Sequence, residues 1–103
     1  MNRNPDGLQA LGDAIESLRK RDDRRPSQER MAAIADMDRT HYASIERGMA
    51  NPTFEKLWAI VSGLGITWET FGRELDRHSV LRRRPITRSQ MPARRAMRKW
   101  KEP

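Results

Sequence analysis

The stretch that decides the fold is SQERMAAIADMDRTHYASIERGMANP, residues 27–52. It contains two short helical patterns with only two or three residues between them. The first begins at Ser27, whose hydroxyl is well suited to cap a helix N-terminus. Met31, Ala32 and Ala35 then recur at helical spacing. This pattern predicts a short helix with one buried face.

The second pattern begins at Asp38, another favourable N-cap, and places Tyr42 and Ile45 on one face. It stops at Gly48, because glycine most readily takes the left-handed conformation that ends a helix. Asn51-Pro52 then opposes any continuation. Two helices joined by a tight turn, the second with a polar outer face, are typical of a helix-turn-helix DNA reader.

The residue types at these positions resemble one known family. Four separated groups carry the likeness to the lambda-repressor-like (Xre-type) helix-turn-helix family: Ser27-Gln28-Glu29, Ala32, Ile45-Glu46-Arg47-Gly48 and Asn51-Pro52. The likeness extends over roughly residues 11–71 and implies a five-helix DNA-binding domain. Where the family often has glycine between the two helices, this chain has Asp36, which tolerates a left-handed conformation less well than glycine does.

Three further apolar patterns predict three more helices. Thr53 and Thr67 stand at the N-cap positions of the last two, and Gly63 and Gly65 are expected to end the fourth helix. With no strand pattern in the sequence, the five stripes predict an all-α domain around one core. The three additional stripes are Leu8, Leu11, Ala14, Ile15 and Leu18; Phe54, Leu57, Trp58, Val61 and Leu64; and Trp68, Phe71 and Leu75.

Charge divides the 103 residues unevenly. The net charge is +7, yet residues 1–77 carry 12 Lys and Arg against 13 Asp and Glu, whereas residues 78–103 carry nine against one. We therefore expect a frayed N-terminus (1–6), a helix-turn-helix DNA-binding domain (7–77) and a basic C-terminal extension (78–103). A basic arm suits a polyanion, most simply nucleic acid, although a merely solvated tail is the alternative.

Several classes of protein are excluded by composition and motifs. The absence of cysteine rules out a disulfide framework and thiolate metal sites. Neither a signal-peptide core nor a bilayer-spanning apolar run is present, which predicts no membrane association and a cytoplasmic protein that joins the nucleoid when bound to DNA. The two histidines, His41 and His78, lie in separate regions, and no phosphate loop or nucleophile motif occurs. We therefore expect no enzyme activity, no cofactor and no metal.

The outward positions of the second pattern are the candidates for reading DNA bases. Side chains near the N-terminus of a recognition helix reach base edges in the major groove. Arg39 is the first choice, because its guanidinium can pair bidentately with guanine O6 and N7. Each candidate could instead be an ordinary exposed helix residue. Within the reading helix Asp38–Arg47 the candidates are Arg39, Thr40, His41, Ser44 and Arg47.

The resemblance implies roles for several other residues. Gln28 would hydrogen-bond a phosphate and buttress the reading helix, and Asn51 joins the DNA-binding set. Glu46 would pair with an arginine of the first helix, here Arg19, because an unpaired carboxylate would repel phosphate. Helix five often forms the dimer interface in the family, although its apolar residues could equally be buried within one subunit. The candidates for that interface are Trp68, Phe71 and Leu75.

Two functions from different classes remain after the sequence is considered. The leading interpretation is a sequence-specific transcriptional regulator, a repressor, that reads double-stranded DNA as a homodimer, since two-fold symmetry doubles the contacts. The alternative is an antitoxin-like interaction protein, whose main partner is another protein bound through the basic tail and whose DNA binding is autoregulatory. Binding of the tail to RNA or to an anionic membrane rests on charge alone.

Overall fold

Five helices make up the part of the chain that the structure, a computed structural model, describes, which is residues 5–79. No strand occurs among these residues, and the prediction of a five-helix, all-α domain is confirmed. Residues 1–4 and 80–103, which include most of the basic extension, lie outside the described part. The helices are α1 (Pro5–Arg21), α2 (Gln28–Ile34), α3 (Arg39–Glu46), α4 (Phe54–Leu64) and α5 (Trp68–His78).

Local capping decides where four of the helices begin. The residue before each has extended backbone, and its side-chain oxygen accepts a backbone N–H from the first turn. A cap of this kind typically contributes about 1 kcal/mol, because it satisfies a donor that the helix itself cannot. All four caps stand at the expected residues, namely Ser27, Asp38, Thr53 and Thr67.

The first helix begins earlier than the sequence boundary suggested. α1 starts at Pro5, so it includes two of the six residues that were expected to fray. The fixed φ of proline suits the first helical position, where the missing N–H is not needed.

One core unites the five helices. α1 lies against both α3 and α5, while α2 packs between α3 and α4. Every helix contributes at least one side chain that is almost completely buried. These side chains are Ile15 of α1, Met31 of α2, Tyr42 and Ile45 of α3, Ile60 and Val61 of α4, and Phe71 of α5.

The apolar stripe of α4 differs from the one expected. Val61 and Leu64 are buried as predicted, but Phe54 and Trp58 are 65% and 53% exposed. Ile60, outside the expected stripe, is fully buried. The buried residues are spaced by one and three positions and face the core, whereas the two aromatics are four residues apart and share a flank that faces outward.

Gly63 does not end α4, as the sequence had suggested, because the helix continues to Leu64 and is capped by Gly65 at φ 71°. Gly63 instead lets α2 approach. A Cβ at this position would lie 2.6 Å from Cγ2 of Ile34. The hydrogen of glycine is therefore needed for the α2–α4 contact.

The turn between α2 and α3 is stabilised from another helix. Asp36 takes the left-handed conformation, with φ 56°, at the position where glycine would be easier. Lys56 of α4 donates through Nζ to the carbonyl oxygens of Ala35 at 3.1 Å and of Asp36 at 2.9 Å. Its ammonium group thereby satisfies carbonyls left free at the C-terminus of α2 and carries the charge favoured there.

Glu74 ties α5 to α1. Its buried carboxylate accepts from Arg21 at 2.6 Å and contacts the ring Nε2 of His78 at 3.0 Å. Burial by itself would raise the pKa of Glu74, but hydrogen bonds from Ser17, His78 and Arg21 outweigh burial and lower that pKa. The carboxylate therefore stays charged at neutral pH and holds α5 in place.

The backbones of α1 and α3 meet at Gly12. A Cβ at Gly12 would lie 2.5 Å from the carbonyl oxygens of both Ile45 and Glu46. Backbone atoms cannot move aside as the end of a long side chain can, so only glycine permits this approach. The sequence alone gave no sign of this requirement, because the partner atoms are more than thirty residues away.

Replacing Gly12 by alanine should therefore destabilise the fold and displace α3. Overpacking of this kind costs about 1–3 kcal/mol, even after the better helix propensity of alanine is counted. The matched control is Gly72→Ala in α5, where a Cβ would meet nothing within 4 Å. That variant should gain about 0.5–1 kcal/mol in its free energy of unfolding, measured by urea denaturation. Equal effects of the two substitutions would contradict the close approach of α1 and α3.

Candidate nucleic-acid interface

The exposed side of α3 carries most of the side chains expected to contact bases. Successive residues of an α-helix are about 100° apart, so Arg39, Thr40, Ser44 and Arg47 fall within one sector. Arg39, Thr40 and Arg47 are exposed and Ser44 is half-buried. His41 is also exposed but lies at the edge of this sector, about 100° beyond Thr40. The structure thus brings four candidates together and leaves the histidine at their margin.

Two of these side chains are already held by the helix. The Ser44 hydroxyl donates to the Thr40 carbonyl oxygen at 3.1 Å, and Arg47 donates to Ser44 Oγ at 3.2 Å. The Arg47 side chain is therefore held in one conformation before any ligand binds. A fixed donor loses less conformational entropy on binding than a free one.

Arg39 is in the opposite state. Among the described residues its guanidinium makes no hydrogen bond or ion pair. The neighbouring Asp38 carboxylate is occupied as the helix cap, accepting from the backbone N–H of Thr40 at 3.0 Å and of His41 at 3.4 Å. Asp38 therefore organises the first turn of α3 and leaves the five N–H donors of Arg39 available to a ligand.

A buried pair anchors the other end of α3. Arg19 Nε donates to Glu46 Oε2 at 2.7 Å and Arg19 Nη2 donates to Glu46 Oε1 at 3.0 Å. The Glu46 side chain is only 2% exposed and that of Arg19 13%. This is the ion pair that the resemblance implied, and its two parallel hydrogen bonds fix the position of α3 relative to α1.

Gln28 joins the same carboxylate from α2. Its Nε2 donates to Glu46 Oε1 at 2.9 Å, which links the start of α2 to the end of α3. Arg19 also donates to the carbonyl oxygen of Pro26 at 3.3 Å and so holds the loop that precedes α2. One carboxylate therefore sets the relative positions of three helices.

Glu46 stays ionised although it is buried. Desolvation alone would raise the pKa of Glu46, but the hydrogen bonds from Arg19 and Gln28 and the charge of Arg19 outweigh it and lower that pKa. The buried phenol of Tyr42 also interacts with this carboxylate, although its hydroxyl completes no hydrogen bond of regular geometry. Burial and the Glu46 charge raise the pKa of Tyr42, so the phenol stays neutral.

The segment after α3 turns sharply at Gly48. Gly48 has φ 76°, and a Cβ there would lie 2.9 Å from Oε1 of Gln9 in α1. Met49 is 62% exposed, and Asn51 is exposed in the same loop. Asn51 therefore stands on the surface near the C-terminal end of α3, as a contact to the DNA backbone would require.

The candidates for a dimer interface divide into two groups. Phe71 is 3% exposed, and Leu75 is packed against the core, so both serve the interior of one subunit. Trp68 is 36% exposed and lies beside the two exposed aromatics of α4. Its ring centroid is 5.6 Å from that of Phe54 and 5.5 Å from that of Trp58. We call these three residues the aromatic patch.

The sequence placed Trp68 at a candidate interface but missed Phe54 and Trp58, because aromatic residues at helical spacing usually fill a core. The signal that could have revealed their exposure is their position. Phe54 and Trp58 lie four residues apart in the N-terminal half of α4, and the end of a short helix often extends beyond the core. Large aromatic side chains exposed together are uncommon on a surface that contacts only water.

Neither a metal-binding cluster nor a membrane span is found within residues 5–79. No group of three or more His, Asp or Glu is placed to hold a metal ion there. None of the described helices combines the length and the apolar character that crossing a bilayer demands.

Replacing Arg19 by methionine should destabilise the fold most at neutral pH. The Glu46 carboxylate would then be buried without its cation, which typically costs about 3–5 kcal/mol. In the wild type, folding lowers the pKa of Glu46 from its unfolded value of 4.5, so the charged carboxylate stabilises the fold above pH 4.5. This stabilisation is lost as the pH falls through the folded pKa. In the variant, burial without the Arg19 charge should raise the pKa of Glu46. Its carboxyl then takes up a proton on acidification, and the loss in free energy of unfolding relative to the wild type becomes smaller.

Urea unfolding of both proteins at about pH 7 and about pH 5 measures this difference. The control is Arg73→Met, because Arg73 and its partner Glu69 are each 75% exposed. Such a surface pair contributes at most about 1 kcal/mol, so the control should lose little at either pH. A deficit of the same size at both pH values for the Arg19 variant would contradict the role assigned to the buried pair.

Comparisons with known proteins agree with this geometry. A helix-turn-helix family profile matches residues 17–71, more than half of the chain. Control protein C.MunI of a Mycoplasma species is 39% identical over 67 residues, which cover 65% of this chain and 89% of that protein. No solved structure matches the chain. The matched residues include Arg19, Gln28 and the whole of α3, and the chain therefore belongs to the lambda-repressor-like (Xre-type) helix-turn-helix family and is a DNA-binding transcriptional regulator.

Proposed function

We propose that the chain is a sequence-specific repressor that inserts α3 into the major groove and binds its operator as a symmetric homodimer. The observation that carries this proposal is the state of Arg39. It stands at the N-terminus of a helix anchored at its far end by Arg19 and Glu46, and its own guanidinium is unpaired among the described residues. A preorganised helix that presents the free N–H donors of a guanidinium group suits direct readout of guanine.

The other α3 side chains have complementary parts in this proposal. Thr40, beside Arg39, is placed to contact a thymine methyl group or a phosphate. Arg47, fixed by Ser44, lies at the far end of the helix and suits a phosphate contact that sets the register. His41 approaches the backbone at the margin of the contact. Positioning contacts add affinity, whereas base contacts add specificity.

Gln28 can serve two partners at once. One of its two amide hydrogens is donated to Glu46, which leaves the second hydrogen for a phosphate oxygen. Asn51 would contact the backbone from the loop after α3. A phosphate bound by Gln28 would thus be coupled directly to the pair that positions α3.

Most cations of the domain are neutralised internally. Arg19, Arg21 and Arg73 pair with carboxylates, and Lys56 binds carbonyl oxygens. Residues 1–77 are close to neutral, whereas residues 78–103 carry the whole positive excess. We infer that the extension supplies sequence-independent affinity, because each phosphate neutralised releases counterions.

The dimer interface in this proposal is the aromatic patch. One recognition helix reads only a few base pairs, and two-fold symmetry joins two half-sites about one helical turn of DNA apart. Phe54, Trp58 and Trp68 present adjacent rings at 65%, 53% and 36% exposure. Aromatic residues of this kind dominate the binding energy of protein interfaces. A dimer bound across a promoter would exclude polymerase, which is how the chain would repress.

Replacing Arg39 by lysine should abolish most of the sequence preference while keeping the charge. We expect affinity for the preferred fragment to fall about 10- to 100-fold, because a bidentate guanine contact discriminates by about 1–3 kcal/mol. Affinity for an unrelated duplex, and its dependence on salt, should stay the same. The measurement is a salt-titrated binding assay on genomic fragments, with Arg73→Lys on α5 as the matched control.

The same assay on a chain ending at Ser79 separates the extension from the domain. If the preference survives and only the salt slope falls, the extension is an electrostatic arm. If no fragment is preferred by either length of chain, the proposed function is wrong.

Replacing Trp58 by serine should dissociate the dimer. Truncation of a central interface tryptophan costs about 2 kcal/mol or more, which raises the dimer dissociation constant about 30-fold. The control is Met49→Ser, since Met49 is 62% exposed but lies outside the aromatic patch. Sedimentation equilibrium measures both. A wild-type chain that stays monomeric, or an unchanged dimer in the Trp58 variant, would contradict this interface.

A further inference from the structure

A groove runs along the flank of α2 that faces α4. It encloses about 490 Å³ between the α1–α2 loop, the outer side of α2 and the C-terminal end of α4. Three arginines form its rim: Arg24 and Arg25 from the loop, and Arg30 from α2. None of the DNA-contacting roles proposed above uses this groove.

The floor of the groove is apolar. Met31 is buried beneath it, and Ile34 remains 40% exposed beside it. Ile34 rests on Gly63, where the absent side chain opens the space. A large aliphatic side chain that is exposed within a concave site, rather than on a convex surface, favours an apolar ligand group.

The rim has one fixed cation and two free ones. Arg24 donates to Asp22 through Nε at 3.0 Å and Nη2 at 2.6 Å, and Nη2 also donates to the Gly63 carbonyl oxygen at 3.0 Å. The pair with Asp22 neutralises Arg24, and the bond to Gly63 joins the loop to the end of α4. The guanidinium groups of Arg25 and Arg30, by contrast, make no hydrogen bond or ion pair among the described residues. The groove therefore offers two unneutralised charges above an apolar floor.

The groove and the reading surface lie on different flanks of α2. Gln28 points to α3 and binds Glu46, whereas Ile34 points to α4 and contacts Gly63. Positions 28 and 34 are about 120° apart around a helix with 100° between successive residues. A ligand in the groove and a duplex against α3 thus approach from different directions.

We propose that this groove docks an acidic segment of a partner protein that places one aliphatic side chain against Ile34 and its carboxylates against Arg25 and Arg30. Charge complementarity selects the occupant. Two free guanidinium groups require an anionic ligand, and planar carboxylates match their donors bidentately. The apolar floor also requires an apolar side chain on the ligand, which a phosphate backbone lacks. The chain's own extension, with nine cations and one acid in residues 78–103, has the wrong charge.

The test is an NMR titration of the full-length, ¹⁵N-labelled chain with the end-blocked peptide Glu-Glu-Leu-Glu-Glu. We expect saturable shifts at the amides of residues 24–34 and at Gly63. The Arg25→Gln/Arg30→Gln variant should weaken binding about tenfold or more, because the charge-assisted hydrogen bonds to the peptide carboxylates are lost. The matched control, Arg39→Gln/Arg47→Gln, removes the same charge from the α3 face and should leave peptide affinity unchanged.

Two further comparisons separate this site from simple charge attraction. A peptide with serine in place of leucine keeps the charge and should bind about tenfold more weakly, since the contact with Ile34 is lost. A duplex of the preferred sequence should bind together with the peptide, with shifts of the groove amides retained. Displacement of the peptide by the duplex, equal affinity of the serine peptide, or shifts that spare the groove would each overturn the proposal. Apart from the duplex comparison, these readouts are independent of whether Arg39 reads guanine.

Discussion

The bidentate pair between Arg19 and Glu46 is the interaction on which the reading surface depends. It joins α1 to α3, and Gln28 adds α2 through the same carboxylate. A buried ion pair is weak evidence for stability, because desolvation of both charges offsets most of their attraction. Its value here is positional, since two parallel hydrogen bonds tolerate little change in distance or angle. The buried charge thus specifies where α3 lies, and the apolar core supplies the stability that keeps it there.

The features that the sequence predicted are those whose partners are close along the chain. Ser27 and Asp38 cap helices through bonds to residues two or three positions away, so residue type and position suffice. The pair of Arg19 and Glu46 was expected only through the family resemblance, because 27 residues separate the two. Gly12 could not be predicted, because its role depends on α3 carbonyl oxygens that approach only in three dimensions.

The aromatic residues of α4 show a second limit of sequence reasoning. A spacing of four residues places Phe54 and Trp58 on one side of a helix but does not say whether that side meets the core or the solvent. The outcome depends on which side of α4 the rest of the core covers, and the contact of Ile34 with Gly63 sets how closely α2 approaches that helix. The same contact places Ile34 and Gly63 side by side in the groove that Arg25 and Arg30 line.

Net charge is a poor guide to what this domain can bind, because most of its cations are already committed. Arg21 and Arg24 pair with Glu74 and Asp22, so the charge of each is already balanced and attracts a further anion less strongly. What distinguishes Arg39 is that its acidic neighbour is engaged by backbone N–H groups, which leaves the guanidinium free. Recognition then depends on which charges the fold leaves unpaired and on how rigidly it presents them. The extension can raise the affinity for any polyanion, but only groups fixed to the helical core can distinguish one sequence from another.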